Sequence, residues 1–119
     1  MATTVSPSNT PLNSTMVVID NLTTTAETDL VGGSTTLGTI SITNGSGGTA
    51  YLKIYDDANP TIGTTEPDII LEVSDGKTVS WWLDGGLRLN NALTVCASNT
   101  PGKATGSTPS NFDVRIGLT

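Results

Sequence analysis

Apolar and polar residues alternate along six short segments of the chain, and a seventh segment, residues 16–20, is a short run that is almost wholly apolar. Period-two alternation is typical of a strand with one face in a core, because successive side chains point to opposite sides of a sheet. No stretch has the spacing and the length of an amphipathic helix. The pattern predicts strands at residues 16–20, 37–43, 49–55, 69–74, 77–83, 93–98 and 112–118.

Two of the turns between these segments predict hairpins in register. Residues 74–76 (Ser-Asp-Gly) fit a three-residue loop that ends on Gly76 in the left-handed conformation. Residues 44–48 (Asn-Gly-Ser-Gly-Gly) form the second loop. Directly opposed residues share a face of the sheet, so apolar residues are expected to pair with apolar ones. The predicted pairs are Val73 with Lys77, Leu71 with Val79, Ile69 with Trp81, Ile42 with Ala50, and Ile40 with Leu52.

Seven or eight short strands with turns of Gly, Pro and Asn predict an all-β fold. We expect a two-sheet antiparallel β-sandwich of the jelly-roll or immunoglobulin-like kind. The 119 residues suit one domain, which we place at residues 16–119. Residues 1–15 are rich in Thr, Ser, Asn and Pro, and they are predicted to be an extended or disordered N-terminal arm. Such a segment is either a free tail or an arm that orders on a neighbouring subunit.

The charge of the chain excludes two classes of partner. Its formal net charge is −6, with five lysines and arginines against eleven acids. Nucleic-acid binding requires a basic stripe, and anionic membranes also attract basic segments, so we expect neither partner. No apolar run is long enough for a membrane helix, and the first residues lack the pattern of a secretory signal. The single cysteine agrees with folding in a reducing cytoplasm.

The residues that usually carry catalysis are scarce. The chain has no histidine, which removes the commonest general base and the usual triads and most zinc sites. Cys96 has apolar neighbours on a predicted strand and is interpreted as a small structural residue. The acids at 56–57, 75 and 84 follow strands or lie in turns, where Asp side chains bond nearby backbone amides. We therefore predict that the protein is not an enzyme and has no catalytic residues, cofactor or metal.

The Trp81-Trp82 pair is the most informative dipeptide. Adjacent strand residues face opposite ways, so Trp81 is predicted to face the core and Trp82 to face outward. The phase of strand 49–55 also turns Tyr51 and Tyr55 outward. These aromatics are either scattered surface residues or a contact surface for a protein or a sugar. Sequence alone leaves both interpretations open.

Several short motifs follow one another in a distinctive order in the middle of the chain. They are residues 51–56 (YLKIYD), 60–64 (PTIGT), Pro67, 75–76 (Asp-Gly) and 85–88 (GGLR). This order and spacing resembles a family of small virion proteins of tailed bacteriophages. None of the motif residues is catalytic, so the motif is a signature of fold more than of chemistry.

The resemblance implies a β-sandwich protein of a phage particle, most directly a capsid decoration (cement) protein. Such proteins typically sit as trimers on the outer capsid surface, clamp neighbouring subunits and stabilise the head. The implied partner is the major capsid protein of the same phage, and the implied location is the virion, after synthesis in the host bacterial cytoplasm. The resemblance covers about residues 40–98 and departs from the family pattern at Glu66 and at the tryptophan pair.

Other functions fit the same pattern. A carbohydrate-binding module, or a tail or baseplate sandwich involved in host recognition, is the alternative to decoration. A small polysaccharide hydrolase is less favoured, because a pattern of cleft aromatics is lacking. For the decoration hypothesis, the predicted partner-binding residues are Trp82, Tyr51, Tyr55 and Arg88.

Overall fold

The computed structural model describes residues 2–7 and 15–119, which form eight β-strands. The strands make two antiparallel sheets that pack face to face. This arrangement confirms the prediction of an all-β sandwich. The strands are β1 (Ala2–Pro7), β2 (Thr15–Asp20), β3 (Thr35–Asn44), β4 (Ala50–Tyr55), β5 (Ile69–Val73), β6 (Thr78–Leu89), β7 (Thr94–Ser98) and β8 (Phe112–Leu118).

The larger sheet has five strands in the order β1-β2-β8-β3-β6, and the smaller has three in the order β5-β4-β7. Residues 23–30 run beside β7 as an irregular fourth element of the smaller sheet. Glu27 N donates to Val95 O at 2.8 Å, and Val95 N donates back to Glu27 O at 3.1 Å. Strands β1 and β6 are therefore the two edges of the larger sheet, and β5 is one edge of the smaller.

Part of the predicted N-terminal arm belongs to the larger sheet. Strand β1 pairs antiparallel with β2, from Ala2 opposite Asp20 to Pro7 opposite Thr15. The Thr3 hydroxyl also donates to the Glu27 carboxylate at 2.6 Å. Residues 2–7 thus extend the sheet of their own chain, whereas residues 8–14 of the arm lie outside the described residues.

The core lies between the two sheets and is built from the inward positions of both. Period-two alternation selects these positions in most strands, as predicted, and β8 has the bounds and the alternation expected from sequence. Burial of such side chains stabilises the fold by roughly 1.5–3 kcal/mol each. Fully buried members include Val17, Ile19, Ile40, Ile42, Leu52, Ile54, Val95, Phe112, Val114 and Ile116.

Both predicted hairpins are wrong, because the two turns connect different sheets. Strand β3 lies in the larger sheet and β4 in the smaller, and β5 and β6 are divided in the same way. Strand β5 pairs with β4 instead, with Leu52 opposite Leu71, and β6 pairs with β3, with Ile42 opposite Val79. Gly76 has the predicted left-handed conformation, with φ +73°, but its N–H donates to Asn44 O at 2.8 Å rather than closing a hairpin loop. Alternation predicts which side chains face the core. It does not distinguish two strands that pair within one sheet from two strands that face one another across the core.

Candidate functional site

The exposed large apolar side chains of the described residues all lie on edge strands. Val5 is on β1, Ile70 on β5, and Trp82 and Leu87 on β6. Trp82 is 70% exposed, which confirms its predicted outward orientation, and Leu87 is 40% exposed. Trp82 is the most exposed of the four, and tryptophan is enriched among the residues that dominate binding energy at interfaces. Strand β6 therefore carries the best candidate site.

A double irregularity interrupts the pairing of β6 with β3. Thr39 lies opposite Trp82, but the next pair is Leu37 opposite Leu87. Residues 83–86 are therefore extra on β6, and Gly38 is extra on β3. Because of the bulge, Leu37 lies in the core together with Ile40 and Ile42.

Two glycines make this irregularity possible. Gly85 and Gly86 have φ of +78° and +79°, in the left-handed region that glycine adopts at least cost. A Cβ atom at Gly86 would lie 2.5 Å from Thr36 Cγ2 and 3.4 Å from Leu37 O. Backbone conformation thus favours glycine at both positions of the GGLR motif, and the close approach of β3 restricts Gly86 as well.

A pocket of about 450 Å³ lies at the bulge. Its lining includes Trp82, Leu83 and Asp84 from β6, Thr39 from β3, and Thr119 at the C-terminus. It combines a large aromatic side chain with a carboxylate and two hydroxyl groups. Sequence reasoning missed this pocket, and Gly85-Gly86 was the only available signal for it, because two adjacent glycines in a strand often mark a bulge.

Arg88 lies on the same strand and is exposed, as expected of a contact residue. Its guanidinium donates to Ser34 Oγ at 3.0 Å and to Thr36 Oγ1 at 3.4 Å. These bonds hold the side chain beside the bulge. We refer to Trp82, Arg88 and the pocket together as the β6 surface.

Asp56 anchors the chain where β6 ends. Its carboxylate accepts from the backbone N–H groups of Asn91 at 2.8 Å, Ala92 at 3.1 Å and Asn90 at 3.1 Å. These bonds, that of Asn91 foremost, hold the pKa of Asp56 below its usual value. The carboxylate therefore has a structural role, which agrees with its interpretation as a turn residue.

The two tyrosines do not join the β6 surface. Tyr51 is half-buried on β4 in the smaller sheet, opposite Glu72 and Ser98. Tyr55 faces away from the core, as predicted, but it is fully buried, so the prediction that it contacts a partner is wrong. The side chains that sequence grouped as partner contacts thus separate into Trp82 and Arg88 on one sheet, and Tyr51 alone on the other.

Tyr55 and its neighbour Lys53 are buried because loops cover the outer face of the smaller sheet. Lys53 is 1% exposed, and its Nζ donates to Ala104 O at 2.6 Å. A Cβ atom at Gly63 would lie 2.8 Å from Thr105 Oγ1, so the loops after β4 and β7 also touch each other. Burial lowers the pKa of Lys53.

Cys96 is buried beneath the same loops. Its Sγ donates to the phenol oxygen of Tyr55 at 3.9 Å, and burial raises the pKa of the thiol. Among residues 2–7 and 15–119, no cluster of three or more His, Cys, Asp or Glu side chains could hold a metal ion. The same residues contain no helix long and apolar enough to cross a membrane.

Comparison with protein-family models, curated proteins and solved structures finds no match to this chain.

Proposed function

We propose that this protein is a non-enzymatic structural component of a tailed-phage virion, a capsid decoration protein that binds the outer capsid surface and stabilises the head. The observation that carries the proposal is the β6 surface, where the exposed Trp82 lines the pocket at the bulge and the exposed Arg88 lies on the same strand. The motif that resembles the phage family builds this surface, since Gly85-Gly86 forms the bulge and Leu87 and Arg88 follow it.

The topology supports the proposal. From β2 onward, the larger sheet has the order β2-β8-β3-β6, and the smaller sheet has the order residues 23–30, β7, β4 and β5. Along this part of the chain, each connection crosses from one sheet to the other, except the connection between β4 and β5. Two Greek keys folded in this way form a jelly roll, and we assign the sandwich to that class. Jelly rolls occur in viral capsid proteins and in lectins.

Binding to a capsid would act through burial of the β6 surface on the major capsid protein. Tryptophan and arginine are enriched among the residues that dominate binding energy, and Trp82 and Arg88 both lie on this surface. Many copies that each bridge capsid subunits would stabilise the whole shell, because each bound copy favours the assembled state by mass action.

Replacement of Trp82 by alanine is expected to weaken capsid binding by about tenfold or more, since it removes the largest exposed apolar group of the surface. The measurement is co-sedimentation of the protein with empty capsids of its phage over a range of concentrations. Ile70→Ala is the matched control, because Ile70 is exposed on β5, at the edge of the other sheet. Wild-type protein that stays in the supernatant would contradict the decoration function, and equal binding by W82A would contradict the assigned surface.

The pocket favours one second candidate, carbohydrate binding. An exposed indole can stack on the apolar face of a sugar ring, and a carboxylate such as Asp84 accepts hydrogen bonds from sugar hydroxyls. Under this function, a panel of host-surface glycans is expected to quench or shift Trp82 fluorescence, and Asp84→Ala is expected to abolish the change. An unchanged spectrum at millimolar sugar, together with capsid binding, would leave decoration as the function.

A further inference from the structure

The last residue of β3, Asn44, is followed by Gly45, and this pair has a chemistry of its own. In an Asn-Gly sequence the backbone nitrogen of the glycine can attack the side-chain amide carbon of the asparagine, because glycine has no Cβ atom to obstruct the approach. No other asparagine of the chain precedes a glycine. The sequence therefore makes Asn44 the most labile asparagine of the unfolded chain, since asparagine is a thermolabile residue to begin with.

The reaction needs no reagent except water. The Gly45 nitrogen forms a bond to Asn44 Cγ, the bond between Cγ and Nδ2 breaks, and Nδ2 leaves with the Gly45 proton as ammonia. The product is a five-membered succinimide. Water then opens one of its two carbonyls, which gives either aspartate or isoaspartate, in which the main chain runs through the side-chain carbon. Neither step is an oxidation or a reduction, and the net change is the exchange of ammonia for water.

In the folded chain, hydrogen bonds hold both reacting groups. The Gly45 N–H donates to Asn111 O at 2.9 Å, so the nucleophile is engaged. The Asn44 side chain is fully buried, its Nδ2 donates to the carbonyls of Gly48 and Val73, and its Oδ1 accepts from a backbone N–H of its own turn. Burial also keeps water and base away from the amide. The fold thus protects the asparagine that the sequence makes labile.

This protection comes from distant parts of the chain. Val73 is the last residue of β5, and Asn111 directly precedes β8. Both lie far from Asn44 in sequence, so their bonds to the Asn44-Gly45 pair exist only while the sandwich is assembled. Proteins open locally and globally from their native state, and any opening that separates this turn from β5 and β8 exposes the pair.

We propose that Asn44 is a deamidation site gated by folding. The assembled sandwich keeps the amide, whereas a chain that opens at this turn converts Asn44 into aspartate or isoaspartate. Neither product restores the native turn, because a carboxylate cannot donate to the carbonyls of Gly48 and Val73, and isoaspartate also lengthens the main chain by one atom. Prolonged opening therefore removes a chain irreversibly from the population that can refold.

Mass spectrometry tests the proposal on the purified full chain, which is incubated in mildly alkaline buffer with and without guanidinium chloride. Fragmentation locates the mass gain that the exchange of ammonia for water produces. In denaturant, Asn44 is expected to react at least severalfold faster than any other asparagine and to give a mixture of isoaspartate and aspartate. Without denaturant, Asn44 of the wild type is expected to stay unconverted over the same time.

Gly45→Ala is the matched variant for the chemistry. The φ of Gly45 lies outside the left-handed region, and a Cβ atom there would lie 3.4 Å from Asn111 Cβ, at the edge of ordinary van der Waals contact, so the fold accepts alanine. In denaturant, G45A is expected to slow conversion of Asn44 severalfold, because the added methyl group obstructs the attacking nitrogen.

Tyr55→Ala is the matched variant for the gate. Tyr55 lies at the far end of β4 from this turn, so its replacement populates the open state without touching the Asn44-Gly45 pair. Without denaturant, Y55A is expected to convert Asn44 faster than the wild type does. Equal rates for the wild type with and without denaturant would overturn the gating. Conversion in denaturant that is no faster at Asn44 than at other asparagines, or is equally fast in G45A, would overturn the site. The result of capsid sedimentation bears on neither, because this modification goes beyond capsid decoration and does not depend on it.

Discussion

Replacement of Asn44 by alanine is expected to lower the free energy of unfolding by about 3 kcal/mol, since it strands buried polar groups. The Asn44 side chain is fully buried. Its Nδ2 donates to Gly48 O at 2.8 Å and to Val73 O at 2.9 Å, while its Oδ1 accepts from Ser46 N at 3.0 Å. Alanine removes all of these bonds and takes away the donor that Asn44 supplies to the buried Val73 carbonyl.

Asn44 has this large effect because it joins the two turns that cross between the sheets. Its backbone carbonyl accepts from Gly76 N at 2.8 Å, and the two turns also meet where Gly47 N donates to the Asp75 carboxylate at 2.9 Å. One side chain thus links the turn from β3 to β4 with the turn from β5 to β6. Its loss loosens both turns together.

Denaturant unfolding of the wild type and N44A provides the measurement, with Thr43→Ala as the matched control. Thr43 is the preceding residue, but its side chain is exposed, so its replacement is expected to cost less than about 1 kcal/mol. Asn44→Asp is expected to destabilise at least as much as N44A, because a carboxylate cannot donate to the two carbonyls. A cost for N44A equal to that of the control would contradict the role of Asn44 in joining the turns.

The same turns show what alternation along the chain can predict. The pattern identified seven of the strands and the outward orientation of Trp82, because inside and outside follow from local periodicity. It could not decide which strands are neighbours. Ile42 and Ala50 are both buried and were predicted to pair, yet they lie in different sheets that share one core.

The site was less predictable than the fold because it depends on contacts between distant parts of the chain. Lys53 and Tyr55 alternate with core residues and read as exposed, but loops far along the sequence cover their face. The pocket depends on the extra residues of β6 and on Gly38 of β3, which meet only through the sheet. Trp82 and Arg88 are exposed as predicted, because an edge strand keeps its outward side chains in contact with water.

Replacement of Tyr55 by alanine is expected to cost about 4 kcal/mol of stability, in the range of other fully buried aromatic side chains. The ring is completely buried on β4, beneath loops that alanine would leave unsupported. Thermal or denaturant unfolding gives the cost. Tyr51→Ala is the control, because Tyr51 is only half-buried on the same strand and is expected to cost less. Equal costs at the two positions would contradict the interior role of Tyr55.

Tyr55→Phe separates the ring from its hydroxyl and gives a pH signature. Burial first, and then the neighbouring Cys96 thiol, raise the pKa of the Tyr55 phenol. In the unfolded chain a phenol ionises near pH ~10, so above that pH the unfolded state loses its proton while the folded state keeps it. The contribution of the protonated phenol to the free energy of unfolding is therefore fully present below that pH and is lost as the pH rises further.

Wild-type protein is accordingly expected to lose more stability than Y55F between about pH 9 and pH 11, since phenylalanine cannot ionise. Denaturant unfolding across this range measures the difference. Lys53 titrates in both proteins, whereas the Cys96 thiol bonds the phenol oxygen, so the difference between the two pH profiles reports the phenol together with its effect on that thiol. Parallel pH profiles would show that the hydroxyl reaches water in the folded state. Capsid binding by Y55F at neutral pH is expected to equal that of the wild type, because a side chain enclosed by its own loops supports the sandwich and does not touch a partner.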